Sequence, residues 1–142
     1  MKKFIFVIFS FFISFHGVSQ GIFINEVSQG TSGSQEYVEF IVTGPALINC
    51  DDIPPCIDLR NYIFDDNNGY LNGAPTSGVG IAAGACRFSN DPFWACIPAG
   101  TTIVIYNDAD PNSSLPGQDV SMLDGNCTLN IPISSALFEK HT

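Results

Sequence analysis

Between residues 22 and 43 two β-rich runs flank a polar break, and this pair limits what the chain can become. The first run is Ile22-Phe23-Ile24-Asn25-Glu26-Val27-Ser28, and the second is Glu36-Tyr37-Val38-Glu39-Phe40-Ile41-Val42-Thr43. Gln29, Gly30, Thr31, Ser32, Gly33, Ser34 and Gln35 between them are turn and loop formers. In the second run Val38, Phe40 and Val42 hold one set of alternate positions; Tyr37, Glu39 and Ile41 hold the other. A strand turns successive side chains to opposite faces. The first set is therefore predicted to be buried, with the second on a mixed face. A strand, a loop and a second strand are expected here, with later strands added to this pair.

The first residues carry an address. Lys2 and Lys3 precede an apolar run over 4–15, interrupted only by Ser10 and Ser14. A helix of that length spans about 18 Å, short of a hydrocarbon core of roughly 30 Å. Gly17 and Ser19 supply the small residues of a cleavage site after Ser19. Residues 1–19 thus read as a secretory signal peptide, and 20–142 as one mature domain. The expected location is the cell surface or the secreted medium, with no membrane insertion once the signal is removed. The mature part keeps Arg60, Arg87 and Lys140 as its only strong bases against all 14 Asp and Glu, a formal charge of −11. Nucleic-acid binding depends on Lys and Arg releasing phosphate counterions, so a nucleic-acid partner is not expected. An extracellular protein or polysaccharide is the expected partner.

Export makes disulfides the default use of cysteine. The spacing suggests Cys50–Cys56 and Cys86–Cys96, each closing a short loop. Cys127 is left over, as a free thiol or with a partner beyond Thr142; the second is favoured. A zinc site is not suggested, because there is no C-x-x-C and His141 is the only mature histidine.

Further along, 45–55 is an acidic loop with a Pro-Pro step, and 57–64 returns to β character. Residues 70–85, rich in Gly, Ala and Ser, read as a long excursion or weak strand. Pro98-Ala99-Gly100 turns into 101–106, the most convincing central strand. Residues 127–133 alternate weakly, and 134–140 begin another strand or a helical turn. No stretch has a useful amphipathic helical period. Short strands between Gly, Pro, Asn and Asp turns point to an all-β sandwich.

These runs, in this order, resemble the lamin-tail domain, and in particular its bacterial, secreted branch. Ile24-Asn25-Glu26 and Glu36-Tyr37-Val38-Glu39-Phe40 match its opening signature. Ile57-Asp58-Leu59 matches its "D-L" strand, with Tyr62 where a Trp is common. Pro98-Ala99-Gly100 followed by Ile103-Val104-Ile105 matches its later strand. Asn25, Glu26, Glu36, Glu39, Asp58, Leu59 and Gly100 are the signature positions. The resemblance covers residues 21–107 well and the remainder poorly. It implies an immunoglobulin-like β-sandwich; the chain reads as an N-terminal piece of a larger protein, its sandwich lacking final strands. The nuclear partners of lamins are not carried over to an acidic exported chain.

Catalysis through a nucleophile and histidine is not expected, since His16 leaves with the signal and His141 sits near the end. Glu26 and Glu39 could face each other on neighbouring strands; a structural role at the sandwich edge is the favoured reading over acid–base work. Two Asx-rich turns offer oxygen ligands for calcium: Asp65 and Asn67 in one, and Asp108, Asp110 and Asn112 in the other. Ordinary turns are the favoured reading of both. Phe88, Phe93 and Trp94 read as packing aromatics rather than a carbohydrate-stacking platform. The expected function is a non-catalytic extracellular binding or scaffolding module. The alternative is a carbohydrate- or calcium-binding accessory domain of an exported hydrolase. N-terminal sequencing of the secreted protein should begin near Gln20 or Gly21; an intact Met1 on exported material would refute the signal.

Overall fold

The alternation in the second run becomes an inward face and an outward face. Val38, Phe40 and Val42 are buried, while Tyr37, Glu39 and Ile41 are half-buried. The computed structural model describes residues 21–44, 54–65 and 85–140. Residues 1–20, where a signal peptide is expected, most of the acidic loop with Cys50, residues 66–84 with Asn67, and His141 lie outside the described residues.

The strands are β1 (Gly21–Ser28), β2 (Tyr37–Thr43), β3 (Cys56–Ile57), β4 (Ile63–Asp65) and β5 (Ala85–Phe88), followed by β6 (Ile97–Pro98), β7 (Thr102–Tyr106), β8 (Thr128–Pro132) and β9 (Phe138–Lys140). One sheet has the order β1-β2-β7-β8, a second β4-β5-β9, and a small third pairs β3 with β6. All pairings are antiparallel except β7 with β8. Among the described residues the only helical element is a 3-10 turn, Pro92–Ala95, whose N-terminal Phe93 N–H donates to the Asp91 carboxylate at 2.8 Å. The chain is all-β, as its sequence predicts.

The core lies between the sheets. Val42, Ile103, Ile105, Leu129 and Ile131 from the first sheet pack with Cys86, Phe88 and Phe138 from the second, and with Ile57 and Ile97 from the third. Phe40 bridges two sheets directly, with its ring 5.3 Å from Phe64 and 6.1 Å from Phe88. The central strand is the expected one: β7 lies between β2 and β8, and its Ile103, Val104 and Ile105 are buried. Gly100 takes φ +94° in the turn before it, a conformation a side chain would strain.

Residues 57–64 do not form the single strand expected. Asn61 adopts φ +65°, and the Arg60 amide donates to the Asp58 carboxylate at 3.0 Å. That local turn interrupts the strand, so β3 joins the small sheet and β4 the three-stranded one. The break is held from outside, because the Leu59 amide donates to the Trp94 carbonyl and the Asn61 amide to that of Phe88.

The cysteine pairing also differs from expectation. Neither Cys50–Cys56 nor Cys86–Cys96 forms; the disulfide joins Cys56 to Cys96, with Cα atoms 4.9 Å apart and a sequence separation of 40. The β3–β6 register sets Cys56 opposite Pro98 and Ile57 opposite Ile97, so the start of β3 lies beside the segment that carries Cys96. Cys86 instead lies in the core as a free thiol, and burial pushes its pKa up to about 12. Cys127 is free and exposed. Reaction requires the thiolate, so iodoacetamide on the native protein at pH 8 should label Cys127 and spare Cys86 until the chain is unfolded. Non-reducing peptide mapping should recover the Cys56–Cys96 peptide. Rapid native labelling of Cys86, or a Cys86–Cys96 peptide, would contradict the structure.

Candidate functional site

The edge strand β1 carries the most distinctive surface. Its register with β2 shifts between Ile24 and Glu26: Ile24 lies opposite Phe40, Glu26 opposite Glu39, and Asn25 is the extra residue. This is a β-bulge, and it inverts the alternation of the strand. Residues directly opposite one another in an antiparallel pair share a face. Ile22, Ile24 and Val27 therefore share the inner face with Val42, Phe40 and Val38, whereas Phe23 and Glu26 share the outer face with Ile41 and Glu39. An unbulged strand would have sent Glu26 inward and Val27 outward.

Ile24 and Val27 nonetheless remain 61% and 66% exposed, and Phe23 on the other face is 51% exposed. Over these inner-face residues the second sheet does not close. A groove of about 260 Å³ results, lined by Ile24, Val27, Tyr37, Val38, Phe40 and Phe64. Glu36 and Asp65 also line it, while Arg60, Arg87 and Lys140 do not. Arg60 pairs with Asp58 at 2.5 Å, and Arg87 pairs with Glu139. The Arg60 guanidinium draws the Asp58 carboxyl down to about 2.

On the outer face the expected carboxylate pair does form, through the register Glu26 opposite Glu39. Each carboxylate has a donor: the Tyr37 hydroxyl donates to Glu26 at 2.5 Å, and the Asn25 amide donates to Glu39 at 2.6 Å. The bond to Glu26, with burial and that residue's negative charge, raises the Tyr37 pKa and keeps its proton in place as a donor. Asn25, Glu26 and Glu39 are thus one cluster across the bulge. The other signature positions serve elsewhere: Leu59 is buried in the core, Asp58 and Gly100 shape turns, and Glu36 begins the run into β2.

The proposed calcium ligands turn to protein hydroxyls. Asp108 accepts from Ser134 Oγ at 2.6 Å; Asp110 accepts from Ser34 Oγ at 2.5 Å and Ser32 Oγ at 2.9 Å; Asn112 accepts from Ser114 Oγ at 2.7 Å. These donors belong to three separate segments, and among the described residues no group of three or more His, Cys, Asp and Glu converges on a metal-sized point. Asp65 lines the groove instead, and Asn67 is outside the described residues. Trp94 and Phe88 are buried and present no stacking platform, as their reading as packing aromatics anticipated.

The groove was the feature sequence reasoning missed. Its signal was the irregular spacing of Ile22, Ile24 and Val27, which fits one face only if a residue is skipped. No helix among the described residues is long and apolar enough to cross a membrane. Comparison with family models, with curated proteins and with solved structures gives no match to this chain.

The loop between β1 and β2 depends on Asp110. Hydroxyls of Ser34 and Ser32 and the Gln35 amide hold its carboxyl below the ordinary 3.8. A lowered native pKa means that the tie is complete above the unfolded value and is lost as pH falls through the folded one. Asp110→Ala should therefore speed amide exchange over residues 30–36 while leaving β2 and β7 protected. The wild-type loop should loosen likewise below the ordinary carboxylate range. Equal exchange in both proteins would mean the loop is held without Asp110.

Proposed function

We propose that the chain is a non-catalytic extracellular binding or scaffolding module of the lamin-tail kind, with an immunoglobulin-like sandwich carrying a recognition edge. The observation that carries this reading is the uncovered inner face of β1, where Ile24 and Val27 face the core side and remain mostly exposed. Burying apolar area is worth about 25 cal/mol per Å², so a strand left open in this way gains by taking a partner. The groove of about 260 Å³ falls below the roughly 300–1,000 Å³ of small-molecule sites and suits side chains of another protein. The acidic balance and the secretory signal read in the sequence support a soluble role outside the cell. The resemblance at Asn25, Glu26, Glu36 and Glu39 supports tethering or adhesion by analogy.

Catalysis by the Glu26–Glu39 pair is the less supported use of that cluster. The two carboxylates lie on the outer face, away from the groove-lining Ile24 and Val27, and already accept from Asn25 and Tyr37. A photo-crosslinking residue at Val27 should capture a partner protein from the surface or medium of the producing cells; the same residue at the exposed Leu123 should not. Esterase, phosphatase, nuclease and glycosidase substrates should remain unturned. Turnover abolished by Glu26→Gln or Glu39→Gln would make the pair an active site.

A further inference from the structure

The two edges of the four-stranded sheet differ. Outside β8, Asp119 and Asn130 form an antiparallel bridge, with each amide donating to the other's carbonyl at 2.8 Å. The Asn130 side chain holds the same segment by donating to the carbonyls of Pro116 and Gly117. On the opposite edge β1 pairs with β2 alone among the described strands, and the bulge at Asn25 leaves Gly21–Ile24 as its regular arm. The direction of that arm's hydrogen-bonding groups follows from β2. The Val42 amide donates to the Thr101 carbonyl at 2.9 Å, and its carbonyl accepts from the Gly100 amide at 2.8 Å, both on the β7 side. Successive residues of a strand turn these groups to opposite sides, so Ile41 and Thr43 bond toward β1. Their partners Phe23 and Gly21 are taken up by that ladder, and the amides and carbonyls of Ile22 and Ile24 point out from the edge.

We infer that the Gly21–Ile24 arm pairs antiparallel with the same arm of a second copy, giving a two-fold dimer with Phe23 opposite Phe23. The dimer is separate from the partner proposed above, since it uses the arm before the bulge and leaves Val27 open. In this register Ile22 of one copy lies opposite Ile24 of the other, so outward groups meet outward groups, and each such pair exchanges both of its main-chain bonds. The Phe23 pair is the non-bonded kind, in which facing side chains stand closest. An axis normal to the sheet keeps the faces aligned. On the inner face Val42 and Ile22 continue into Ile24 and Phe40 of the copy; on the outer face Ile41 and Phe23 continue into Phe23 and Ile41. Phe23 and Ile24, 51% and 61% exposed in one chain, gain apolar neighbours in this way. Charge permits the approach here although the chain is acidic. The arm carries no ionisable side chain, and the offset of the pairing keeps Glu26 of one copy about 20 Å along the strands from Glu26 of the other. A paired arm covers far less than the roughly 1,600 Å² of a standard interface, which places the dimer in the weak class. With the β8 edge covered, this sheet offers no second edge to continue the pairing among the described strands, and association closes at two copies.

Sedimentation of the mature full chain at millimolar concentration should show a reversible monomer–dimer equilibrium. It should tighten as salt rises, because salt screens the repulsion between two acidic chains. Ile24→Pro removes an outward amide and leaves the β1–β2 ladder its own bonds, so it should weaken the dimer tenfold or more, with circular dichroism confirming the fold. The register is read separately by cross-linking in a Cys127→Ser background. Under mild oxidation Phe23→Cys should give a disulfide-linked dimer, since facing residues of a non-bonded pair lie within disulfide reach; Val27→Cys, far out of register with its counterpart, should not. A chain that stays monomeric at millimolar concentration would overturn the proposal, as would a dimer that folded Ile24→Pro leaves intact. Oligomers that keep growing with concentration, or cross-linking at Val27→Cys and not at Phe23→Cys, would overturn it too. If the chain is monomeric while the Val27 photo-cross-linker captures a different protein, the module reading stands and the dimer alone is wrong.

Discussion

Trp94 is the side chain on which the layers of this protein depend. It is fully buried in the 3-10 turn, with its ring 4.7 Å from Phe88 and 5.7 Å from Phe138. Its indole N–H donates to the Leu137 carbonyl at 2.8 Å, and its own carbonyl accepts from the Leu59 amide at 2.9 Å. One residue therefore binds the lead-in to β9, the turn between β3 and β4, and the aromatic centre of the second sheet. The pair with Phe88 is edge-to-face, an arrangement that adds about 0.5–1.5 kcal/mol beyond buried area, and truncating a buried Trp typically costs about 3–5 kcal/mol. The Cys56–Cys96 disulfide begins two residues further along the chain, and by closing a long loop it restrains the unfolded chain by about 3–4 kcal/mol.

The polar residues of the loops act mainly on one another. Asp108 is tied to Ser134, and Asp110 to Ser32 and Ser34; Asn107 is buried and donates to the Ser34 carbonyl at 2.7 Å. Together they anchor the β1–β2 loop and the turn after β8 to the end of β7. The same oxygen-rich composition that suits a cation in sequence is used here for hydroxyl donors, which neutral Ser and Thr supply without placing like charges together. The open edge at β1 is thereby held from one side by an ordered loop, while its inner face stays uncovered.

Much of the architecture was legible because it rests on period and turn chemistry, which are local. The alternation in Tyr37–Thr43 placed Val38, Phe40 and Val42 inside, the apolar run at Thr102–Tyr106 marked the central strand, and Gly100 marked its entry turn. Part of the candidate site was legible in the same way, since the spacing of Glu26 and Glu39 suggested that they face each other across two strands, and the register pairs them. The aromatic run at Phe93 and Trp94 likewise behaved as packing residues, because large apolar side chains near a polar turn gain most by turning inward.

By itself, the sequence determined the all-β class, the buried face of the main strands and the strong acidic balance, all of which follow from residue type and spacing. Only the tertiary structure decided which cysteines meet, because disulfide formation depends on distance in space: the β3–β6 pairing brought Cys56 to Cys96 across 40 residues and left Cys86 among core side chains. It also decided that residues 57–64 break at Asn61, since bonds from Leu59 and Asn61 to Trp94 and Phe88 outweigh the local β preference. The groove beside β1 is tertiary as well. The sequence supplies Ile24 and Val27, but only the bulge at Asn25 puts both on the inner face, and only the reach of the opposing sheet leaves them open.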